Sequence, residues 1–363
     1  MQIAVVGAGN AGCAYAWHLS STGHEVRLLK TSTSMHEDNF VVIQRCGGIR
    51  GVFGTSGRDW SFARLSCVTR DERQAIEGCE VVIVLTQTGC HENIAKRIGP
   101  LLGKTRLVLV VPGYMGSLYF RSECPFPEVL LAEGESSALD ARIEEPGAVR
   151  VLFKNVRNAL AFLPASRGAE GLRLAAGLLE TYSHKRVDIV ESSMHNPNLI
   201  LHPLGTILSA SRIEHSHGDF RMYKEAFTPS VWNAVDALDL EKRGILNAFG
   251  LEPLTYGESC RFRNSEDLSV DPMTVFASYA EDAPRGPSTL ETRFIDEDVP
   301  MGLALMSSLG RRCGRATPVC DALVNIAGAL RKRDFWAASR NLEGLGIGGL
   351  TLDQTISAVR DSR

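Results

Sequence analysis

An α/β N-terminal domain followed by an all-α C-terminal domain is the fold class that the sequence predicts, and three observations carry it. Ile3-Ala4-Val5-Val6 is a continuous apolar run of the kind that forms a strand buried on both faces. Gly7, Gly9 and Gly12 follow it at the G-x-G-x-x-G spacing and lead into a helical pattern through Ala14, Ala16 and Leu19. Short apolar strands then recur between helical stretches as far as Val190, and beyond it only helical periodicities remain. The 363 residues exceed one ordinary core, so two domains are expected, residues 1–186 and 187–363.

Each glycine of the opening loop has a physical role. Gly7 lets the chain turn out of the strand, Gly9 presents no side chain to a pyrophosphate, and Gly12 lets the helix lie close to the sheet. The first helical amides, at Asn10, Ala11 and Gly12, and the positive end of the helix dipole then face the phosphates. Glu25–Leu29 is the second strand. Strand, glycines, helix and strand together describe a Rossmann-like domain for a nicotinamide or flavin dinucleotide, the alternative being such a domain without its ligand. An NAD-preferring domain places an acid about 20 residues past the glycines to bind the ribose hydroxyls. Here the strand ends in Lys30-Thr31-Ser32-Thr33-Ser34. An ammonium and hydroxyls suit a 2′-phosphate, so NADP(H) is favoured over NAD(H), the alternative being a solvated surface lysine.

Residues 39–68, with Val41-Val42-Ile43 and Gly47, Gly48, Gly51, Gly54 and Gly57, read as short hairpin strands and turns without a helix. A helical pattern follows at Arg70–Ile76. Val81–Leu85 is the next strand, and Thr86 and Gln87 stand at its carboxyl end, where open α/β sheets bind ligands. His91 opens a helix. Leu107–Val111 is a strand running into Pro112-Gly113-Tyr114-Met115-Gly116, which brings backbone close to a ligand or simply turns. Val129–Ala132, Val149–Phe153 and Ala159–Leu163 complete the strands, Glu170–Tyr182 is a helix, and Val187–Val190 is a last short strand candidate.

In the second domain, Leu199–Ser209 is apolar on most sides and reads as a central helix buried between the domains. Thr228-Pro229-Ser230 starts a helix that Gly250 ends. Residues 254–290 read as loop with short helices. Pro300 and Thr317-Pro318 begin two more helices, and a short one closes the chain.

Composition excludes several classes. The net charge of −3 and the absence of a long basic run give no nucleic-acid footprint. No apolar stretch approaches a membrane span, and the opening strand takes the place of a signal peptide, so the expected compartment is the cytoplasm. The nine cysteines, with no CxxC pair, are expected to be reduced thiols, with no metal site; Cys13, Cys79, Cys90 and Cys320 lie in or beside apolar patterns.

Two stretches of the second domain could carry chemistry. Asn196-Pro197-Asn198-Leu199-Ile200-Leu201-His202-Pro203 puts a histidine inside an apolar helix, with two amide side chains before it and a proline disturbing the helix beside it. Arg293-Phe294-Ile295-Asp296-Glu297-Asp298-Val299-Pro300 puts four charged groups ahead of an apolar helix. The plain readings are a core histidine and a solvated acidic helix start. The functional reading is an Asp that orients the His, and an Arg that clamps a substrate carboxylate bidentately.

These residues resemble the opine dehydrogenases of the octopine and nopaline type. The resemblance runs through Gly7–Gly12, Gly47-Gly48-Ile49, Pro112-Gly113 and Ala132-Glu133 to Arg142. It continues through Asn196-Pro197-Asn198 with His202-Pro203, Tyr223-Lys224-Glu225 with Thr228–Val231, Asp239 with Glu241 and Arg243, and Arg293 with Glu297–Pro300 and Gly302-Leu303. It implies NAD(P)H-dependent reductive condensation of an amino acid with a 2-oxo acid such as pyruvate, and the reverse oxidation. It also implies that His202 is catalytic, Asp298 is its carboxylate partner, and Arg293 and Asn198 bind substrate. A homodimer is compatible with it. Two other readings remain: a ketopantoate-reductase-like or glycerol-phosphate-dehydrogenase-like enzyme, families that use a lysine as the acid although neither Lys224 nor Lys242 sits in such a motif here, and a non-catalytic NADP-binding sensor.

Overall fold

The computed structural model describes residues 1–283 and 285–361. The chain divides into two compact units, Met1–Arg186 and Val187–Arg363.

The first unit is built on two sheets. Its strands are β1 (Gln2–Val6), β2 (Glu25–Leu29), β3 (Gly48–Phe53), β4 (Ser61–Arg64), β5 (Cys67–Thr69), β6 (Val81–Val84), β7 (Leu107–Val110), β8 (Leu130–Gly134), β9 (Leu139–Glu145), β10 (Ala148–Lys154), β11 (Asn158–Leu163) and β12 (Tyr182–Lys185). Eight of them form one sheet in the order β12-β11-β8-β7-β6-β1-β2-β5, parallel except where β11 meets β8. The other four form a smaller sheet, β4-β3-β10-β9. The unit's helices are α1 (Asn10–Ser21), α2 (Glu37–Cys46), α3 (Glu72–Ile76), α4 (His91–Ile98), α5 (Ser117–Glu123) and α6 (Gly168–Ala176).

Helix α1 explains the smaller sheet. Residues 12–17 of α1 are all buried, so the helix has no solvent face in that stretch. It packs on β2 and also on β3, β4 and β9 of the smaller sheet. The fit is close at Gly51 of β3, where a Cβ would lie 2.1 Å from the Trp17 ring. The Tyr15 hydroxyl is 2.7 Å from that of Tyr182 and accepts the Ala138 amide, tying α1 to β12 and to the start of β9.

Three local sequence expectations need correction. Val41-Val42-Ile43 lie in α2, because Asn39, Phe40 and Ile43 bury one helical face while Val41 is exposed, and Gly47, at φ +65°, ends the helix. Tyr182 belongs to β12, since α6 stops at Ala176 and the chain turns before pairing with β11. Val187–Val190 is not a strand: the Asp188 carboxylate accepts the Val190 and Glu191 amides and caps a helix. Gly113 is dictated by packing, because a Cβ there would lie 2.1 Å from the Glu133 carboxylate. That buried carboxylate accepts the Met115 and Ser117 amides and the Ser117 hydroxyl, and so holds Tyr114 and Met115 in the left-handed region.

The regular elements of the second unit are helices, among the described residues. It contains α7 (Ile189–Met194), α8 (Asn198–Leu208), α9 (Ala210–His215), α10 (Met222–Glu225), α11 (Pro229–Ala248), α12 (Tyr256–Asn264), α13 (Pro272–Asp282), α14 (Arg293–Asp296), a π-helical turn at Asp298–Leu303, α15 (Ala304–Arg312), α16 (Pro318–Arg331) and α17 (Leu352–Arg360). The stretch at 254–290, read as loop with short helices, holds two helices of 9 and 11 residues. The first is secured by a capping box between Thr255 and Glu258, and in the second Asp271 accepts the Thr274 amide. Every α8 residue from Leu199 to Ile207 is buried, and α11, α14, α16 and the π-turn pack on the helix.

Candidate active site

Helix α8 and the π-turn meet at a buried pair. His202 Nδ1 lies 2.7 Å from Asp298 Oδ2, and both side chains are almost wholly enclosed. An ionised carboxylate only accepts, so Nδ1 carries the proton and donates it to Asp298. That leaves Nε2 as the working nitrogen, and the Tyr223 hydroxyl of α10 is 2.9 Å from it. Phe294 of α14 stacks on the imidazole, with ring centroids 3.6 Å apart and planes 12° apart. The Arg293 guanidinium lies over the other ring system at 5.4 Å from the Phe294 centroid, and 4.0 Å from a Glu297 oxygen. The imidazole thus has a fixed tautomer, a fixed plane and one active edge.

Two prolines explain the local geometry. Pro203 offers no amide to the carbonyl one turn back in α8. Pro300 lies in the π-turn, a wide geometry that recurs at functional sites. Asp298 is the first residue of that turn, and α8 packs directly on it.

In the first unit the glycine loop has the shape a dinucleotide needs. Gly7 has φ +112°, and a Cβ there would lie 2.7 Å from the Leu85 carbonyl oxygen. A Cβ on Gly12 would lie 1.8 Å from the Gly7 carbonyl oxygen, so α1 can approach only because that side chain is missing. Gly9 is different: the nearest atom to its Cβ position is His36 Cδ2 at 3.8 Å, which leaves the approach to the backbone open. The first α1 hydrogen bond runs from Cys13 to Gly9, so the amides of Asn10, Ala11 and Gly12 have no partner within the helix. The Asn10 side chain accepts the Ile143 amide at 2.9 Å, which anchors the loop to β9. Among the described residues, the buried Thr86 Oγ1 beside Gly7 has no hydrogen-bond partner. An open backbone, three available amides and an orphaned hydroxyl fit a pyrophosphate-containing cofactor.

Two family models match the chain: "NAD/NADP octopine/nopaline dehydrogenase, alpha-helical domain" over residues 185–331, and "Ketopantoate reductase PanE/ApbA" over residues 3–132. An opine dehydrogenase of Arthrobacter sp. (strain 1C) is 32% identical over 370 residues, spanning 98% of this chain and 98% of that protein. The chain belongs to the opine dehydrogenase family. Like the family, it is an NAD(P)-dependent oxidoreductase acting on CH–NH bonds. Its fold matches the solved octopine dehydrogenase in complex with NADH and agmatine at a TM-score of 0.75 and 18% identity, covering 99% of this chain and 98% of that one. It also matches NADP+-bound yersinopine dehydrogenase at 0.72 and 14% identity, covering 99% and 97%.

In this opine dehydrogenase fold, the structure brings together His202, Asp298 and, through Phe294, Arg293. Asn198 stands one helical turn before His202 and therefore on the same side of α8, with its amide donating to Asn196 Oδ1 at 2.9 Å. Lys30 is turned inward. Its ammonium donates to Ser32 Oγ at 3.1 Å and to the Met35 carbonyl, and Glu37 is 3.9 Å away. Burial pushes its pKa down and Glu37 holds it up against that. Thr31 is half-buried beside it, and Gln87 is exposed just before a 3-10 turn.

Sequence reasoning missed four residues here. Arg70 donates to the Ser32 carbonyl at 2.8 Å, pairs with Glu37 and lies over the Phe40 ring at 4.7 Å. His36, in the left-handed region at φ 53°, approaches Gly9. Neither carries a sequence signal, because each reaches the loop from another element. Tyr223 sits in a stretch that carries the family resemblance, but no spacing announces its contact with a residue 21 positions away. Phe294 reads as an ordinary apolar position between Arg293 and Ile295.

The remaining placements are plain. Among the described residues no group of His, Cys, Asp or Glu side chains is arranged to hold a metal, and no helix is long and apolar enough to cross a membrane. None of the nine cysteines is in a disulfide, and Cys90 is exposed, against the burial expected from its apolar surroundings.

Proposed function

We propose that the chain condenses the amino group of an amino acid with a 2-oxo acid, with His202 as the acid–base group, Asp298 orienting it, and Arg293 and Asn198 binding substrate. The observation that carries this reading is the buried 2.7 Å contact between His202 Nδ1 and Asp298. Asp298 fixes the tautomer and stabilises the imidazolium, so Nε2 can both accept and return a proton. Bound NAD(P)H supplies the hydride that reduces the imine carbon. Arg293 presents a planar fork to a carboxylate, and its guanidinium lies over the ring of Phe294, which itself stacks on the imidazole. Asn196 Nδ2, buried and without a partner among the described residues, offers a further donor just before α8. The all-thiol cysteine content supports a cytoplasmic location.

The lysine-dependent alternative finds no suitable group. Lys224 is paired at the surface with Glu281, and Lys242 is sealed against Asp239. The deciding experiment is cofactor oxidation across a matrix of amino acids and 2-oxo acids, with ketopantoate alone as a control. Oxidation that needs both substrates supports the reading, and oxidation with ketopantoate alone overturns it.

Arg293→Lys keeps the charge and loses the fork. The apparent affinity for one carboxylate substrate falls, while NAD(P)H binding, followed by fluorescence, stays unchanged. Equal loss of cofactor binding would place Arg293 elsewhere.

The cofactor reading favours NADPH. Lys30 and Arg70 place two cations at the end of β2, where Glu37 engages both and a 2′-phosphate would compete with it. A charge-assisted hydrogen bond contributes roughly 1.5–3 kcal/mol, so Lys30→Asp and Arg70→Ala each weaken NADPH about tenfold or more. Lys30→Asp improves NADH binding, and Arg70→Ala leaves it nearly unchanged. A wild-type enzyme that binds NADH more tightly than NADPH removes the basis for this preference.

A further inference from the structure

We infer that Tyr223 is a catalytic residue that carries the working proton between His202 and the substrate. The inference rests on the reading of His202 given above and extends it by one group.

The imidazole of His202 is engaged on two sides. Its Nδ1 edge is taken by Asp298 and one face by Phe294. The proton can enter or leave only at Nε2, and the Tyr223 hydroxyl lies 2.9 Å from that nitrogen. The hydroxyl both donates and accepts, so it can pass a proton on without holding a charge. Tyr223 is itself positioned. Its ring meets Tyr279 of α13 edge-on at 5.2 Å and lies near Phe227 at 6.4 Å. The helix that carries it is held by the Arg221 amide on Glu225, by Arg212 on Glu225 and by Lys224 on Glu281. The titratable groups that face the phenol include His202 on α8, Tyr279 on α13 and Tyr256 on α12, with Asp298 behind the imidazole. Tyr223 is half-buried, unlike the sealed His202, which makes it the member of the chain placed to meet a ligand.

The proton balance closes within one turnover. The incoming ammonium gives a proton to the Tyr223 oxygen as the phenol gives its own to Nε2, leaving a free amine and an imidazolium. The amine adds to the oxo carbon and a carbinolamine forms. The imidazolium returns the proton through Tyr223 to the departing hydroxyl. The C–O bond breaks, the C=N bond forms from the nitrogen lone pair, and water leaves. Tyr223 and His202 end as they began.

The test is Tyr223→Phe, which keeps the ring and removes the hydroxyl. Turnover is expected to fall on the order of 10²-fold, the lower part of the range for acid–base groups, with KM little changed. In mixtures of light and heavy water, the rate of the wild type bows with heavy-water content, because two protons move together, and that of Tyr223→Phe is linear. Difluorotyrosine at position 223, with a more acidic phenol, shifts the pH profile of turnover to lower pH. His202→Ala is run beside these variants. Loss in His202→Ala with wild-type turnover in Tyr223→Phe overturns the relay and leaves the site reading standing. Near wild-type turnover in both overturns the site reading itself. A loss in Tyr223→Phe whose rate still bows, with no pH shift from the fluorinated residue, makes Tyr223 a structural contact and also overturns the relay.

Discussion

Replacing His202 by alanine lowers turnover by roughly 10²–10⁴ in both directions, the range for a positioned acid–base group, while the fold survives. The side chain is buried, so the deletion leaves Asp298 without the donor at 2.7 Å, and some loss of stability accompanies the loss of rate. Circular dichroism separates the two effects. Asp298→Asn leaves a side chain of the same shape but frees the imidazole tautomer, and it costs a similar factor. The double variant is scarcely worse than either single one, because the pair acts as a unit. In reduction His202 becomes the acid by taking the proton of the incoming ammonium, whereas opine oxidation starts from an unprotonated secondary amine and the base form of His202, so the oxidative optimum lies at the higher pH. The measurement is turnover of the three variants in both directions. Near wild-type turnover in a folded His202→Ala would falsify the mechanism and leave His202 a core histidine.

Lys242→Met destabilises the helical unit by about 3–5 kcal/mol, the cost of leaving one member of a buried pair uncompensated. Lys242 Nζ is 2.6 Å from Asp239 Oδ1 and donates to the Leu254 carbonyl at 2.9 Å, and both residues are buried. The Asp239 carboxylate also accepts the Tyr256 amide, so the pair fastens α11 to the start of α12. Burial pushes the Lys242 pKa down, and Asp239 opposes this. At about 2–4 °C per kcal/mol for a domain of this size, the unfolding transition falls by about 6–20 °C. Adding Asp239→Leu restores most of it, because an apolar pair of similar volume has no charge to compensate. Turnover per folded molecule is unchanged. A folded Lys242→Met with wild-type stability and no activity would instead make this lysine the acid of the ketopantoate-reductase-like alternative.

The legible and illegible parts of this fold differ by how far along the chain their causes lie. The buried parallel strands around Val5, Ile83 and Leu109 were readable because burial on both faces leaves an unbroken apolar run. The helix at Val41–Ile43 is not legible, because three β-branched residues in a row imitate a strand while the face that decides it is buried by Asn39, Phe40 and Ile43 together. Val187–Val190 is equally ambiguous in sequence: its apolar residues suit either state, and the Asp188 cap settles it.

By itself, the sequence determined the order of the two units, the glycine loop and the candidate residues His202, Arg293 and Asp298, because chain-local sterics and residue type suffice for these. Only the tertiary structure decided which charges meet. His202 and Asp298 are 96 positions apart, yet they lie 2.7 Å from each other because α8 packs against the π-turn. The same folding turned Lys30 into its own loop, set Arg70 beside it from another element, and brought Tyr223 to Nε2. Periodicity reports which face of an element is buried. It carries no information about the partner that buries it, and that partner sets hydrogen bonds, tautomers and the direction in which a cation points.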